Sequence, residues 1–303
     1  MTGTQDKNPS GTRKNHKVRL IHQMPQQTKP HFHKGTEISL KRMQGQNPLI
    51  NSIANNKWQN ARHLIEEDRK LVKRWSLASC LSGGVKASDI LPIHQACKMS
   101  EIPIQFLEDL ISAYPESITK RESGFRRIPL HVAIRANLPE EVIIFLLMKY
   151  PEGATIQDIL GRVPLHYAIC NNMSVGFIKL LIKAYPSAVY VADNMGGLTP
   201  LHVAASTSVS REVVEVLTGC GVETVAARTS RGSTPSMCAK ISEGPFHDSI
   251  VELLHEDEEK IKRIGNPEEK VQNNQDLIQR YCKEKIAGAN PAYMSSSVRL
   301  GAH

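Results

Sequence analysis

One short phrase, Pro-Leu/Ile-His-x-Ala, occurs four times at a nearly constant spacing. Its histidines are 37, 35 and 36 residues apart. A fixed period in the thirties predicts that one two-helix unit is copied and stacked into a solenoid, so we expect function to belong to a surface and not to a pocket. The copies contain Pro92, His94 and Ala96, then Pro129, His131 and Ala133, then Pro164, His166 and Ala168, and finally Pro200, His202 and Ala204.

Each unit is predicted to contain two helices. The proline suits the first position of a helix, where no backbone donor is lost, and the alanine allows close packing. A second apolar stripe follows at helical spacing in three copies: Leu107, Leu110 and Ile111; Ile143, Leu146 and Leu147; Ile178, Leu181 and Ile182. A Tyr-Pro pair then predicts the end of each second helix, because the residue before proline avoids the helical conformation. These pairs are Tyr114-Pro115, Tyr150-Pro151 and Tyr185-Pro186.

The fourth copy reads Thr-Pro-Leu-His-Val-Ala from Thr199 to Ala204, and the third has Asp158 and Gly161 ahead of its proline. With these motifs the chain resembles the ankyrin-repeat family. The resemblance implies an all-α helical solenoid with about four clear repeats and degenerate terminal repeats. It also implies that the repeat histidines tie the first helix to the turn. Two departures are the longer period and Tyr-Pro in place of the glycine that usually ends the second helix.

The register extends beyond the four copies. Pro235 lies 35 residues after Pro200 but is followed by Ser236 and Met237, which predicts a degenerate fifth copy. The stripe of Trp58, Ala61, Leu64 and Ile65 predicts an N-terminal cap. We therefore expect a tail over 1–49, a repeat domain over 50–262, and a C-terminal helix with a flexible tail over 263–303. Within the domain, the cap spans 50–88, the clear copies span about 89–123, 124–158, 159–193 and 194–228, and the degenerate copy spans 229–262.

The positive charge is concentrated at the N-terminus. Residues 1–50 hold nine Lys/Arg against two Asp/Glu, or +7 of the formal +8. Little periodic apolar content predicts a disordered segment. One hypothesis is that Arg13, Lys14, Lys17 and Arg19 dock the protein on nucleic acid or an anionic membrane, with the repeats as a spacer. The alternative is a solvated tail or a weak nuclear-import signal.

Sequence motifs of catalysis are missing, since the chain contains no GxGxxG, GxxxxGK[ST], HExxH or GxSxG. We predict no enzyme, no cofactor and no metal site. His94 and Cys97 have a possible ligand spacing, but a structural histidine beside a core thiol is the favoured interpretation.

Six cysteines without a CxxC pair predict reduced thiols in an intracellular protein, cytoplasmic or nuclear. We expect a monomer, although the C-terminal helix could cap the array or pair with a second copy.

The resemblance implies that the concave face of the array binds a partner protein. Its solvent-side positions on the first helices are Lys98, Arg135, Asn171 and Thr207. Its turn tips present Phe125, Arg126, Arg127, Ile159, Leu160, Arg162, Asn194, Met195, Leu198 and Arg231. Apolar side chains beside arginines favour a partner segment with apolar anchors and acidic flanks. The alternative is that the apolar tip residues only pack against neighbouring turns.

Overall fold

The computed structural model describes residues 47–79, 87–207, 209–242 and 246–264. Six helix pairs stack along these ranges, and each first helix packs against the first helix of the next pair. The first helices are α1 (Pro48–Ala54), α3 (Pro92–Ala96), α5 (Pro129–Arg135), α7 (Pro164–Cys170), α9 (Pro200–Ser206) and α12 (Pro235–Ala239). The second helices are α2 (Trp58–Glu67), α4 (Ile104–Ala113), α6 (Glu140–Lys149), α8 (Val175–Ala184), α10 (Arg211–Thr218) and α13 (His247–Ile264). A short helix, α11 (Val222–Ala226), follows α10.

A single apolar core runs through the stack, from Leu49 in α1 to Leu254 in α13. Each pair buries one apolar stripe of its second helix against the first helices, as the spacing predicts. The all-α repeat solenoid is thereby confirmed. No single repeat buries this stripe alone, so stability depends on stacking.

The Tyr-Pro pairs end three second helices as predicted, at Ala113, Lys149 and Ala184. Each proline then begins a 3-10 helix: Pro115–Thr119, Pro151–Thr155 and Pro186–Tyr190. The fixed φ of proline suits the first position of such a helix as well, so the chain continues for one more tight turn. This added turn accounts for part of the longer repeat period.

The N-terminal region contains a helix that the sequence did not predict. Helix α1 begins at Pro48, ahead of the predicted boundary at residue 50, and the Asn47 Oδ1 accepts a hydrogen bond from the Leu49 N–H at 3.0 Å. Asn56 follows α1 with φ of +56°, matching Asn137 at +54°. Both asparagines lie eight residues after the helix-initiating proline. The pair α1 and α2 thus repeats the helical unit without its histidine phrase.

A two-stranded antiparallel sheet joins this pair to α3, a departure from a purely helical chain. A 3-10 helix (Arg69–Lys73) leads into β1 (Ser76–Ser79), and β2 (Ala87–Ile90) leads into α3. Ser76 pairs with Ile90, and Leu77 pairs with Asp89. Ser76 and Ile90 are buried, whereas Leu77 and Asp89 are exposed, so the hairpin has one face on the core and one in solvent.

The degenerate fifth copy forms the pair α12 and α13. Ile250, Leu253 and Leu254 are buried, in agreement with the predicted stripe. Helix α13 continues to Ile264, beyond the predicted boundary at residue 262. The N-terminal tail and the further C-terminal helix lie outside the described residues. Within the described ranges, no helix is both long enough and apolar enough to cross a membrane.

Candidate functional site

Buried carboxylates shape the turns that precede the first helices. The Asp158 Oδ1 accepts hydrogen bonds from the Leu160 N–H at 2.9 Å and the Arg162 N–H at 3.0 Å. In the next repeat, the Asp193 Oδ1 accepts from the Gly196 and Leu198 N–H groups, both at 3.1 Å. Such bonds hold the backbone of a turn in one conformation. The tip residues are therefore fixed in position before any partner binds.

Glu122 shapes the turn of the preceding repeat in the same way, although no turn carboxylate was predicted at this position. Its Oε1 accepts from the Phe125 N–H at 2.7 Å and from the Arg127 N–H at 3.2 Å. Arg126, between them, takes the left-handed conformation with φ of +57°. The position of Glu122, seven residues before Pro129, equals that of Asp193 before Pro200 and could have revealed it.

Backbone hydrogen bonds join the tips of successive repeats into one row. The Ile159 N–H donates to the Phe125 carbonyl at 2.8 Å, and the Asn194 N–H donates to the Leu160 carbonyl at 2.8 Å. Further along, the Ser230 N–H donates to the Gly196 carbonyl at 2.9 Å. These bonds fix the spacing between tips, which the sequence period alone left undetermined.

Arg127, predicted to face a partner, is instead an interior residue. Its side chain is 1% exposed and its Nε lies 3.4 Å from the Asp158 Oδ2 of the next repeat. Its Nη2 donates to the Tyr167 hydroxyl at 3.0 Å, and its guanidinium stacks over the Phe125 ring at 4.2 Å from the centroid. A buried cation needs a counter-charge, so Arg127 joins two repeats and cannot reach a partner.

Arg162 repeats this arrangement one step along the array. Its Nε and Nη2 donate to the Asp193 Oδ2 at 3.1 and 2.9 Å, and only 14% of its side chain is exposed. The Tyr167 hydroxyl belongs to the Arg127 arrangement, where it donates to the Asp158 Oδ2 at 2.5 Å. Burial raises the pKa of Tyr167 to about 12, so this hydroxyl stays protonated. The guanidinium of Arg162, like that of Arg127, is mainly structural.

The repeat histidines also join one repeat to the next. The Nδ1 of His166 accepts from the Val163 N–H at 3.3 Å, while its Nε2 lies 3.1 Å from the Leu198 carbonyl, to which it donates. His202 bonds Thr199 and Ser233 in the same way. These partners require the neutral Nε2–H tautomer. Burial lowers the pKa of His94, His131 and His166 to about 4, and lowers that of His202 as well.

The side chains that face solvent at the tips are a subset of those predicted. Ile159 is 53% exposed and Met195 is 68% exposed. Phe125, Leu160 and Leu198 are half-buried. Three polar tip residues are also exposed: Arg126, Asn194 and Arg231. The tip row therefore presents Ile159 and Met195 as its apolar side chains, with cations at Arg126 and Arg231.

The four positions predicted on the solvent side of the first helices also differ from one another in exposure. Lys98 is exposed, whereas Arg135, Asn171 and Thr207 are half-buried. The Asn171 Nδ2 donates to the Ile134 carbonyl, and the Thr207 hydroxyl donates to the Val203 carbonyl at 2.9 Å. Asn171 and Thr207 therefore use their polar groups to bond the backbone of the array.

Two exposed apolar residues near this row were not predicted. Trp75 is 42% exposed and Leu77 is 46% exposed, both at the start of the hairpin. The hairpin continues the row because the Ser123 N–H donates to the Asp89 carbonyl at 3.2 Å. Trp75 follows basic residues and belongs to no repeated motif, so its exposure could not be predicted from the repeat register.

The cysteine thiols and the His94 ring have surroundings that disfavour thiolate or metal chemistry. Burial raises the pKa of the Cys97 thiol, and raises that of Cys170 to about 11, so neither is a reactive thiolate. The ring nitrogens of His94 contact the Leu91 N–H and the Lys120 carbonyl. Across the residues that the structure places, no group of three or more His, Cys, Asp or Glu side chains could hold a metal ion.

Comparison with known proteins agrees with this architecture. Residues 130–227 match the model of a family described as ankyrin repeats, in three copies. No curated protein matches the chain at a significant level. Ankyrin repeats are generally protein–protein interaction modules and are typically non-enzymatic. The stacked helix pairs and this match identify residues 130–227 as ankyrin repeats.

Proposed function

We propose that the chain is a non-catalytic scaffold or adaptor that binds a partner protein through the tip row and the adjoining first helices. The observation that carries this proposal is the exposure of Ile159 and Met195 at neighbouring tips. Large apolar side chains held in solvent at matching positions are typical of an interface. We assign this activity to residues 50–262, extended to 47 and 264 by the observed helices.

The rigidity of the row supports the proposal. Buried ion pairs, carboxylate-bound turns and backbone bonds between tips already order the contact residues. A surface that is ordered beforehand loses little conformational entropy on association, so more of the contact energy appears as affinity. The row also fixes the spacing at which a partner must present its own side chains.

The chemistry of the row indicates the kind of partner segment. Ile159 and Met195 favour apolar anchors, Arg126 and Arg231 are exposed cations at the neighbouring tips, and Lys98 is an exposed cation just after α3. Cations at the rim steer acidic groups and suppress basic ones. We therefore propose a segment with apolar anchors and acidic flanks, in which Arg127 and Arg162 act only by holding the tips.

A pair of variants of the full chain tests the proposal. Ile159→Asp combined with Met195→Asp should abolish capture of specific partners in proximity labelling followed by mass spectrometry. Met148→Asp is the matched control, since Met148 is 54% exposed but lies on the second helix α6. Partners retained by the tip variant, or lost equally from both variants, would contradict the proposal.

A second function is proposed for the basic N-terminal tail, because residues 1–50 hold +7 of the net charge. Charge of this density favours weak, salt-sensitive binding to nucleic acid or anionic membrane. Deleting residues 1–46 should reduce retention on heparin and on anionic vesicles at low salt. Unchanged retention on both would refute this second function.

We further propose an intracellular monomer in the cytoplasm or nucleus. The reduced thiols of Cys97, Cys170 and Cys238 support a reducing compartment. Cell fractionation and light scattering of the purified chain test location and mass. Secretion, or a stable dimer at micromolar concentration, would contradict the proposal.

A further inference from the structure

The backbone of Leu77 directs its hydrogen-bonding groups away from the hairpin. Leu77 is paired with Asp89, whose N–H and carbonyl are both engaged on the other side: the N–H donates to the Ser123 Oγ at 2.8 Å, and the carbonyl accepts from the Ser123 N–H at 3.2 Å. In an antiparallel ladder, paired residues either bond each other or both point outward. Because Asp89 points outward, the N–H and carbonyl of Leu77 point to the opposite edge.

That edge is open in the described part of the chain. Strand β1 pairs with β2 alone among the strands placed there, and the sheet has two strands. Ser123 occupies the far edge of β2, so a new strand can be added only beside β1. An unpaired edge of this kind is a template for an extended segment of another chain.

Side chains beside the edge offer apolar contact area. Leu77 is 46% exposed and lies on the solvent face of the hairpin. Trp75, two residues earlier, is 42% exposed and packs with its inner side against His94, at 6.1 Å between ring centroids. An aromatic and an aliphatic residue next to a free strand edge are the side-chain contacts that strand addition uses for specificity.

The charge near the edge indicates what the added segment carries. Four exposed cations lie in the segment 69–74, just ahead of β1: Arg69, Lys70, Lys73 and Arg74. The acids nearest to these cations are Asp89 on the solvent face of β2, Asp68, whose Oδ1 accepts from the Lys70 N–H, and Glu66 and Glu67 of α2, which lie 3.8 and 3.2 Å from the His63 ring nitrogens. The four cations stand between Asp68 and β1, so the segment that leads directly into β1 is positive, which favours an acidic partner segment.

We propose that the edge of β1 binds an extended acidic segment of a partner protein, added as a third strand through the backbone of Leu77. The tails of this chain do not match that chemistry, since residues 1–46 hold nine cations against two acids and residues 265–303 hold five against four. A second copy would bring two sets of the same four cations together. This inference goes beyond the proposed function, because the tip variants Ile159→Asp and Met195→Asp leave β1 unchanged.

The probe is a fluorescein-labelled eight-residue peptide of alternating glutamate and valine, titrated into the full chain and followed by fluorescence anisotropy. Leu77→Pro removes the outward N–H without removing a ladder bond between β1 and β2, and proline is tolerated at such edge positions. We expect Leu77→Pro to weaken binding about ten-fold, from one lost hydrogen bond and from the clash of the ring with the added strand. Leu77→Val keeps the N–H and should stay within about two-fold of the wild type.

Two further measurements complete the test. Saturating peptide should slow hydrogen exchange of the Leu77 amide in the unaltered chain, a result that does not depend on the folding of Leu77→Pro. The same peptide with lysine in place of glutamate should not bind. Equal affinity of Leu77→Pro and wild type, or unchanged exchange at Leu77, would overturn the inference. A dimer that Leu77→Pro dissociates would assign the edge to a second copy and would also overturn it.

Discussion

Arg127 and Asp158 form an ion pair between adjacent repeats in which both side chains are buried, with 3.4 Å between Nε and Oδ2. The Tyr167 hydroxyl donates to the same carboxylate oxygen, and the Arg127 Nη2 donates to that hydroxyl. Three polar groups from two repeats thus satisfy one another in the interior. A network of this kind stabilises only while it is complete.

Removing the buried cation should therefore be costly. We expect Arg127→Met to lower the free energy of unfolding by about 3 kcal/mol, because it leaves the Asp158 carboxylate without its counter-charge. The neighbouring Arg126→Met should change it by less than about 0.5 kcal/mol, since Arg126 is exposed. Urea unfolding followed by circular dichroism measures both, and equal midpoints would show that the pair is not structural.

Acid should destabilise the array through its histidines. In the folded chain the pKa of His94, His131 and His166 is about 4, below the ordinary value of 6.5, so the unfolded chain binds more protons between these values. Stability should be full above about pH 6.5 and should fall as the pH drops toward about 4, by up to about 1.4 kcal/mol per pH unit for each histidine. His166→Gln should remove one such contribution, seen as a shallower pH dependence whatever its absolute stability. An unchanged slope would mean that His166 does not titrate in this way.

Two tip glycines allow a matched comparison of conformation and crowding. Gly197 has φ of +69°, and an added Cβ would lie 3.0 Å from the Ser230 backbone nitrogen, whereas Gly232 has φ of +77° with open space around it. Gly232→Ala should cost about 1 kcal/mol from the left-handed conformation alone. Gly197→Ala should cost more, because it also presses on the N–H that bonds the Gly196 carbonyl. Thermal unfolding of both variants tests this order, and a reversed order would refute it.

The N-terminal helix pair should depend on one buried asparagine. The Asn47 Nδ2 donates to the Leu71 carbonyl at 2.7 Å and to the Arg74 carbonyl at 3.1 Å, in addition to the cap that Oδ1 gives to α1. Asn47→Ala should cost about 2 kcal/mol, because it leaves the buried Leu49 N–H without its cap and removes both side-chain hydrogen bonds to the Leu71 and Arg74 carbonyls. Asn55→Ala, at an exposed asparagine, should cost less than about 0.5 kcal/mol. Similar melting temperatures would indicate that α1 is not held at this point.

The first repeat pair illustrates a limit of the sequence pattern. Ile50 and Ser52 stand in α1 where the other copies have histidine and alanine, so the phrase that identified the array is missing there. Packing needs only a small or apolar residue at these positions, and burial of Leu49 and Ile53 against the core supplies the rest. Pro48 followed by Leu49, with an asparagine eight residues later, was a weaker sign of the same unit.

The arginines of the tips illustrate a second limit. Arg126 and Arg127 are adjacent and chemically identical, and both were predicted to face a partner. The left-handed φ of Arg126 turns its side chain to solvent, whereas Arg127 points inward to an aspartate 31 residues away. Only the stacking of two repeats decides which guanidinium finds a buried partner.

The amino-acid sequence by itself determined the repeat unit, since prolines begin helices, Tyr-Pro pairs end them, and periodic apolar residues select the buried face. These are local effects of backbone conformation and burial, and they act within one copy of the unit. The tertiary structure decided which side chains remain at the surface and that, among the residues it describes, no strand covers the edge of β1. Those outcomes depend on hydrogen bonds and ion pairs between residues more than thirty positions apart, and such contacts exist only once the repeats are stacked.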